Sequence, residues 1–258
     1  MKLRTPLDRN DLKIKKNYNV LEVGSGHNPT FVSNVIVERY IDDNTHRSED
    51  AKIYPHQKFI NSSGEDMPFK DKEFDYVICN QVLEHVEDPV KFVKEQERVA
   101  KRGYIETPSM IGELLFPKKS HKWVVLDIDG KLVLFEKNKM PGNYENNYGE
   151  LFLNYLPYQS LIYRLLWFSE PSLMITRYEW EGSIDIIVNP EDEYYKSFFT
   201  KPWDRYMTEK LFPKRKLTKE IGKFVLALYY LTKTEIKKKI FKRRPILLRE
   251  YLKINKSL

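Results

Sequence analysis

Gly24 and Gly26 stand one residue apart, directly after the apolar-flanked acid of Val20-Leu21-Glu22-Val23. A buried strand running into a turn without side chains lets a ligand approach the backbone closely, an arrangement that suits a nucleotide-like ligand. Further acids, amides and hydroxyls collect where other apolar runs end: Glu38 after Val35-Ile36-Val37, Ser63-Gly64-Glu65-Asp66 after Phe59-Ile60, Asn80-Gln81 after Val77-Ile78-Cys79, and Glu106 after Tyr104-Ile105. His85 and His121 add proton-transfer chemistry near neutral pH. His27, His46, His56, His85 and His121 do not fall at ligand spacing with acids or with the single Cys79, so no metal site is expected. There is no Gly-Lys-Ser/Thr phosphate loop either.

These groups need a scaffold that brings strand ends together. Residues 1–18 are polar and basic, with Leu7, Leu12 and Ile14 as anchors, and are expected to form a short leading helix or arm. Strands are expected from about residue 19, at 34–38, 58–61, 74–80 and 103–107, with a short helix opened by Pro29 and a longer one from Pro89 to about 101. Residues 42–52 read as a loop. Alternation of this kind implies parallel right-handed βαβ units with helices on both faces, and ligands at the carboxyl edge of the sheet, where every polar cluster named above falls.

Beyond Pro108 the pattern changes. Residues 123–135 predict a hairpin around Asp129-Gly130, and 174–188 a second one around Glu181-Gly182. The second is expected to supply the last two strands of the main sheet, the first to cap its active edge. Residues 138–150 read as a surface loop, 158–168 as helix, and 217 onward as helix interrupted at Pro245. The expected organisation is one α/β domain over 1–206, with a cap at about 109–170, and a basic helical extension over 207–258.

In a dinucleotide fingerprint a third small residue follows the second glycine by three, where helix N–H groups meet a pyrophosphate. Here that place holds Pro29, which removes a donor and suits a ligand without pyrophosphate. The chain resembles the class I S-adenosylmethionine-dependent methyltransferases, in particular the small-molecule group with a type 11-like domain. The resemblance is carried by Leu21-Glu22-Val23-Gly24-Ser25-Gly26, by Gly64-Glu65-Asp66-Met67-Pro68-Phe69, and by the run from Phe74-Asp75-Tyr76 through Asn80-Gln81-Val82-Leu83-Glu84-His85-Val86; it covers roughly residues 19–110.

The resemblance implies a Rossmann-like α/β sheet of seven strands, mostly parallel with a C-terminal antiparallel hairpin, and S-adenosyl-L-methionine as cofactor. It places the Gly24-Ser25-Gly26 backbone beside the methionine part, Glu22 near its amino end and Glu38 on the ribose hydroxyls. Ser63, Gly64, Glu65 and Asp66 would lie against the adenine, and Asn80 and Gln81 would face the methionine. Relatives usually carry an Asp where Ser63 stands. Methyl transfer from a sulfonium needs an aligned acceptor, and a hydroxyl acceptor gains from a base. His121, His85 and Glu106 are the candidates, against bland roles in hairpin capping, local hydrogen bonding and sheet-edge bonding. A nicotinamide-dependent oxidoreductase and a non-catalytic cofactor-fold binding protein stay open as alternatives.

Composition sets the partners. The chain has 258 residues and a net charge of +7, yet from Met207 onward sixteen Lys/Arg face four Asp/Glu, which leaves the first 206 residues at about −5. A mildly acidic body disfavours nucleic acid; the basic, apolar-rich tail over 237–248 suits a peripheral contact with an anionic membrane, with a solvated helix face as the alternative. No signal peptide is evident, no apolar run approaches the roughly 20 residues of a spanning helix, and one cysteine permits no internal disulfide, so a cytoplasmic enzyme is expected. The second half is rich in aromatics, among them Tyr144, Tyr155, Tyr158, Trp167 and Trp180, suited to packing or to stacking on a flat acceptor. The expected acceptor is a small polar molecule methylated on oxygen, such as a sugar or phosphorylated intermediate of surface-glycan assembly. The oligomeric state is not legible.

Overall fold

Short β-branched and aromatic runs, buried on both faces, build the centre of a seven-stranded sheet. The computed structural model describes residues 1–41, 44, 49–141, 147–240 and 244–256. In chain order the strands are β1 (Lys2–Arg4), β2 (Val20–Val23), β3 (Val35–Glu38), β4 (Lys52–Ile53), β5 (Lys58–Asn61), β6 (Tyr76–Asn80), β7 (Arg102–Pro108), β8 (Trp123–Ile128), β9 (Lys131–Glu136), β10 (Ile175–Glu181), β11 (Ile186–Val188) and β12 (Ile246–Leu247). The helices are α1 (Pro89–Val99), α2 (Met110–Leu115), α3 (Leu156–Gln159), α4 (Leu161–Ser169), α5 (Glu193–Thr200), α6 (Arg205–Leu211), α7 (Leu217–Ile240) and α8 (Leu248–Lys256), with a π-helical turn at Glu150–Tyr155.

The main sheet runs β1-β10-β7-β6-β2-β3-β5. The five strands from β7 to β5 are parallel, and β10 lies antiparallel between β7 and β1. Parallel strands point their carboxyl ends to one edge, so the polar residues that end β3, β5 and β6 converge there with the glycine turn after β2. Helix α1 starts at Pro89, whose missing N–H costs nothing in the first turn, and Asp88 caps it by accepting from Lys91 N at 2.9 Å.

Four expectations are corrected. The first strand is β1, inside the predicted arm: Lys2 and Arg4 pair with β10 and form the sheet edge. The predicted second hairpin does not close. A two-residue turn of type I′ needs both central residues at positive φ, and of Glu181-Gly182 only Gly182 is there, at +76°. The chain instead leaves the sheet: Ile184 N donates to Glu97 at 2.5 Å, Leu132 N to Asp185 O at 2.8 Å, and β11 runs parallel to β9 in a separate sheet, β11-β9-β8. Asp129 and Gly130, at +55° and +75°, do form the tight turn of the first hairpin.

That hairpin does not cap the edge but lies on a face of the main sheet, where Val125, Leu132 and Leu134 join Val77, Cys79, Tyr178 and Trp180 in one core beside Phe92 and Val93 of α1. Its other side carries Val124, Leu126 and Phe135 against Phe198, Phe199 and Met207. The expected helix after Pro29 is absent, and the opposite face, with Val20, Tyr76, Ile78 and Tyr104, is covered by Leu12, Ile14 and Tyr18 of the N-terminal arm.

Where the β3 crossovers would normally bring a helix, the C-terminus returns. β12 pairs antiparallel with β4, and Leu248 joins Ile36, Ala51 and Ile53. Parts of the predicted loops at 42–52 and 138–150, Tyr144, His46, and Lys242 and Arg243 of the basic run lie outside the described residues. Among the described residues no helix is long and apolar enough to cross a membrane.

Candidate active site

The glycine turn is held by its neighbours rather than by its own sequence. Gly24 N donates to Val37 O at 2.8 Å, and Gly24 and Gly26 adopt φ of +70° and +54°, the left-handed region that favours glycine. A Cβ on Gly24 would stand 2.3 Å from Val82 Cγ2, so the turn is pressed against the residue that leaves β6. Glu38, at the tip of β3, receives Gly26 N and, at 3.2 Å, Ser25 Oγ, which binds the turn to the second strand.

The cleft that opens here is lined by Gly24, Gly26, Glu38, Ser63, Gly64, Glu65 and Gln81 of the predicted cofactor residues. Val82, Val86 and Phe92 add an apolar wall, and Arg39, Tyr40 and Lys122 part of the rim. Sequence reasoning missed these; Val82 and Val86 lay inside the quoted motif, but nothing in the sequence said which way they face.

Four predicted residues do not line the cleft. Glu22 is fully buried and points into its own turn, accepting Thr30 N, Thr30 Oγ1 and Ser33 Oγ at 2.7–2.8 Å. Burial pushes its carboxyl above the usual range against the pull of those donors. It folds the turn. Ser25 bonds to Glu38, and Asp66 closes a small turn in which Ser62 Oγ donates to Asp66 O at 2.8 Å. Asn80 Oδ1 is buried at the tip of β6 without a hydrogen-bond partner.

Among the catalytic candidates, Glu106 is occupied. Its carboxylate receives Arg177 Nε at 3.0 Å and Tyr104 Oη, so a buried ion pair on the sheet replaces the expected base. The two histidines meet: His85 lines this first cleft, His121 lines a second cavity, and their rings are 4.6 Å apart in an edge-on contact. His85 Nδ1 stands 3.0 Å from Ser120 O; a carbonyl only accepts, so Nδ1 carries the proton.

His121 is 5% exposed and lines the second cavity. Its Nδ1 meets Glu113 at 2.5 Å, and its Nε2 faces Glu84 Oε1 at 4.0 Å. Burial raises the Glu84 carboxyl; Glu113 is buried too, but its bonds to His121 and Lys137 hold its carboxyl below the usual range. One donor atom each of Glu84, His85 and His121 lies within 4.8 Å of the others. The strand end and the start of the hairpin bring together residues far apart in the chain.

The second cavity shares Glu87 and Lys122 with the first, and Lys118, Lys119 and Lys137 line it. Trp123 Nε1 to Val86 O and Lys122 N to Glu84 O, both 2.8 Å, fasten the start of β8 to the end of the cofactor cleft.

A five-strand parallel core with an antiparallel neighbour, a glycine turn after the central strand and an acid on the next strand make a Rossmann-like α/β sheet. Residues 22–105 match the family model of a methyltransferase domain. An uncharacterized protein of Methanocaldococcus jannaschii is 44% identical over 68 residues, 24% of this chain and 33% of its own. Among solved structures, a Bacillus halodurans protein described as a methyltransferase is 23% identical with a TM-score of 0.30, over 38% of this chain and 47% of that one. A Thermotoga maritima S-adenosylmethionine-dependent methyltransferase is 19% identical with a TM-score of 0.28, over 39% and 47%. The chain thus spans a third of the curated relative it matches and about half of these two structures.

Proposed function

We propose that this protein transfers the methyl group of S-adenosylmethionine to a hydroxyl of a small, anionic acceptor. The observation that carries this reading is the junction of two cavities at the carboxyl edge of the sheet: a glycine- and acid-lined cleft on one side, a lysine-lined one on the other, with the His85–His121 pair between them. In the first, Glu38 accepts from the ribose hydroxyls, Ser63, Gly64 and Glu65 lie along the adenine with Val82 and Phe92 against its faces, and Gln81 serves the methionine end. Those residues fit a zwitterionic nucleoside. The sulfonium leaves as a neutral thioether without an acid, so the chain's work is to align the acceptor and activate its oxygen. Activation falls to the cluster headed by His85, with His121 positioning it.

The lysines of the second cavity favour a phosphorylated or carboxylated acceptor, and a sugar phosphate of surface-glycan assembly fits that chemistry. A nicotinamide enzyme is disfavoured because no helix follows the glycine turn, which removes the N–H array that a pyrophosphate needs. Calorimetry is expected to show S-adenosylhomocysteine binding and no NAD binding; the reverse would overturn the assignment. Glu38→Gln, which keeps an acceptor for Gly26 N, should weaken S-adenosylhomocysteine about 10- to 100-fold, since bonds to a charged acceptor contribute roughly 1.5–3 kcal/mol. A non-catalytic binding protein would bind the cofactor yet methylate nothing across a panel of sugar phosphates.

We further propose a peripheral membrane contact from a cytoplasmic position. Helices α4 and α7 lie together, joined by Arg164–Glu235 at 2.5 Å and the stacked Phe168–Tyr230 pair. Their outer surfaces and the preceding turn leave Tyr158, Ile162, Leu217, Phe224, Val225 and Leu228 exposed. Lys216, Lys219, Lys223 and Lys233 accompany them, and each basic residue near an anionic bilayer contributes about 1 kcal/mol. Ile162→Glu combined with Val225→Glu should release the protein from vesicles containing phosphatidylserine; equal sedimentation of both proteins would remove the proposal.

A further inference from the structure

We propose that Glu84, His85 and His121 bind a divalent first-row transition-metal ion at the junction of the two cavities. The three residues offer two imidazoles and one carboxylate, a donor set that suits such ions and leaves coordination positions for a substrate oxygen. Their donor atoms already lie within 4.8 Å of one another. Metal bonds of about 2.0–2.2 Å set donors roughly 3–3.5 Å apart, so binding draws them inward by about 1 Å, within reach of side-chain rotation.

The decisive observation is a pair of buried atoms that face each other with nothing between. His121 Nε2 and Glu84 Oε1 are 4.0 Å apart, on side chains 2% and 1% exposed, and neither has a hydrogen-bond partner. With Nδ1 of His121 donating to Glu113, Nε2 presents a lone pair to a carboxylate oxygen. Two acceptors opposed across a gap too long for a hydrogen bond are costly to bury, and a cation between them satisfies both.

Each donor is also oriented by an outer partner, as metal ligands commonly are. Glu113 holds His121 Nδ1; Ser120 O accepts from His85 Nδ1; Thr107 Oγ1 donates to Glu84 Oε2 at 2.9 Å, leaving Oε1 for the ion. Three donors from two segments, each held by a separate residue, are more organisation than a lone buried histidine requires. Leu83–His85 is a single 3-10 turn after β6, and His121 sits just ahead of β8, so the hairpin closes the site against the sheet.

The ion's role rests on the methyl-transfer reading; its binding does not. Bound through an open position, the acceptor hydroxyl becomes acidic enough to lose its proton to solvent. The oxygen lone pair then forms the bond to the methyl carbon, the carbon–sulfur pair returns to sulfur, and neutral S-adenosylhomocysteine is left. His85 and His121 are ligands through Nε2 in this step and transfer no proton.

The test uses the full-length protein after chelator treatment and titration with Co(II), followed by its visible d–d absorption, with Zn(II) displacement as the second arm. One equivalent is expected to bind at micromolar concentration with the intense bands of a low-coordinate imidazole site, and Zn(II) is expected to erase them. His121→Ala should lower the affinity at least 100-fold. Because that variant sits in the core, His85→Ala, closer to the surface, is measured alongside and should lower affinity at least 10-fold with an unchanged far-ultraviolet circular dichroism spectrum. Co(II) spectra of the free aquo ion at stoichiometric protein, or wild-type affinity in the His85 variant, would overturn the site. S-adenosylhomocysteine binding without metal binding would sink this inference alone; metal binding without methyl transfer would sink the functional reading instead.

Discussion

Replacing Gly24 with alanine is expected to lower the free energy of unfolding by about 2–5 kcal/mol. Two separable costs combine. A non-glycine residue at φ +70° costs roughly 1–2 kcal/mol, and the added Cβ, 2.3 Å from Val82 Cγ2, forces an overpacking strain of about 1–3 kcal/mol. Only the second depends on Val82. The double variant Gly24→Ala/Val82→Ala should therefore show less than additive loss in urea denaturation, while the backbone cost remains. Strict additivity of the two substitutions would mean that the turn does not press on Val82. S-adenosylhomocysteine affinity should fall in both variants, because the same atoms form the wall of the cleft.

The second large effect is expected far from the cleft. Arg4→Met should cost about 3–5 kcal/mol, the range for removing one partner of a buried ion pair. Glu179 is fully buried and accepts from Arg4 Nε at 2.6 Å, Tyr76 Oη at 2.7 Å and Lys13 N at 2.8 Å. Without Arg4 the two remaining donors do not neutralise its charge. Arg4→Met/Glu179→Gln should recover much of the loss, since an amide still meets those donors. If the single and double variants unfold at the same urea concentration, the pair contributes through something other than charge. The same arginine also holds Asp11 at 2.8 Å, and Asp11 receives Tyr230 Oη at 2.9 Å, so β1, the arm and α7 share one polar network.

The parallel core was legible because its evidence is local. Val20–Val23, Val35–Glu38 and Tyr76–Asn80 are short, mainly apolar runs, the last two ending in polar residues and the first in a glycine turn, and burial on both faces demands such runs. The Asp129-Gly130 turn was legible for the same reason, since two positive φ angles select that dipeptide. Pro29 was misleading: it permits a helix start without enforcing one, and Glu22 instead gathers the following residues into turns through Thr30 and Ser33. Partner choice for edge strands was hidden altogether. Lys2–Arg4 gives no sign that it pairs with β10, and Ile186–Val188 none that it leaves for β9, because strand pairing is decided by which edge the fold leaves open.

For the site, the chain by itself determined the cofactor side. Glycines that need positive φ and an acid at a strand end carry their meaning in residue type and short spacing, since one strand–turn unit sets their geometry. Tertiary structure decided the acceptor side. Glu22, read as a ligand contact, turned inward once Thr30 and Ser33 supplied its donors, and Glu106 was taken by Arg177. Conversely Glu84, His85 and His121, more than thirty residues apart at their extremes, became neighbours only when β8 was fastened beside the end of β6. Chemistry that spans distant segments depends on how layers stack, and no local spacing records that.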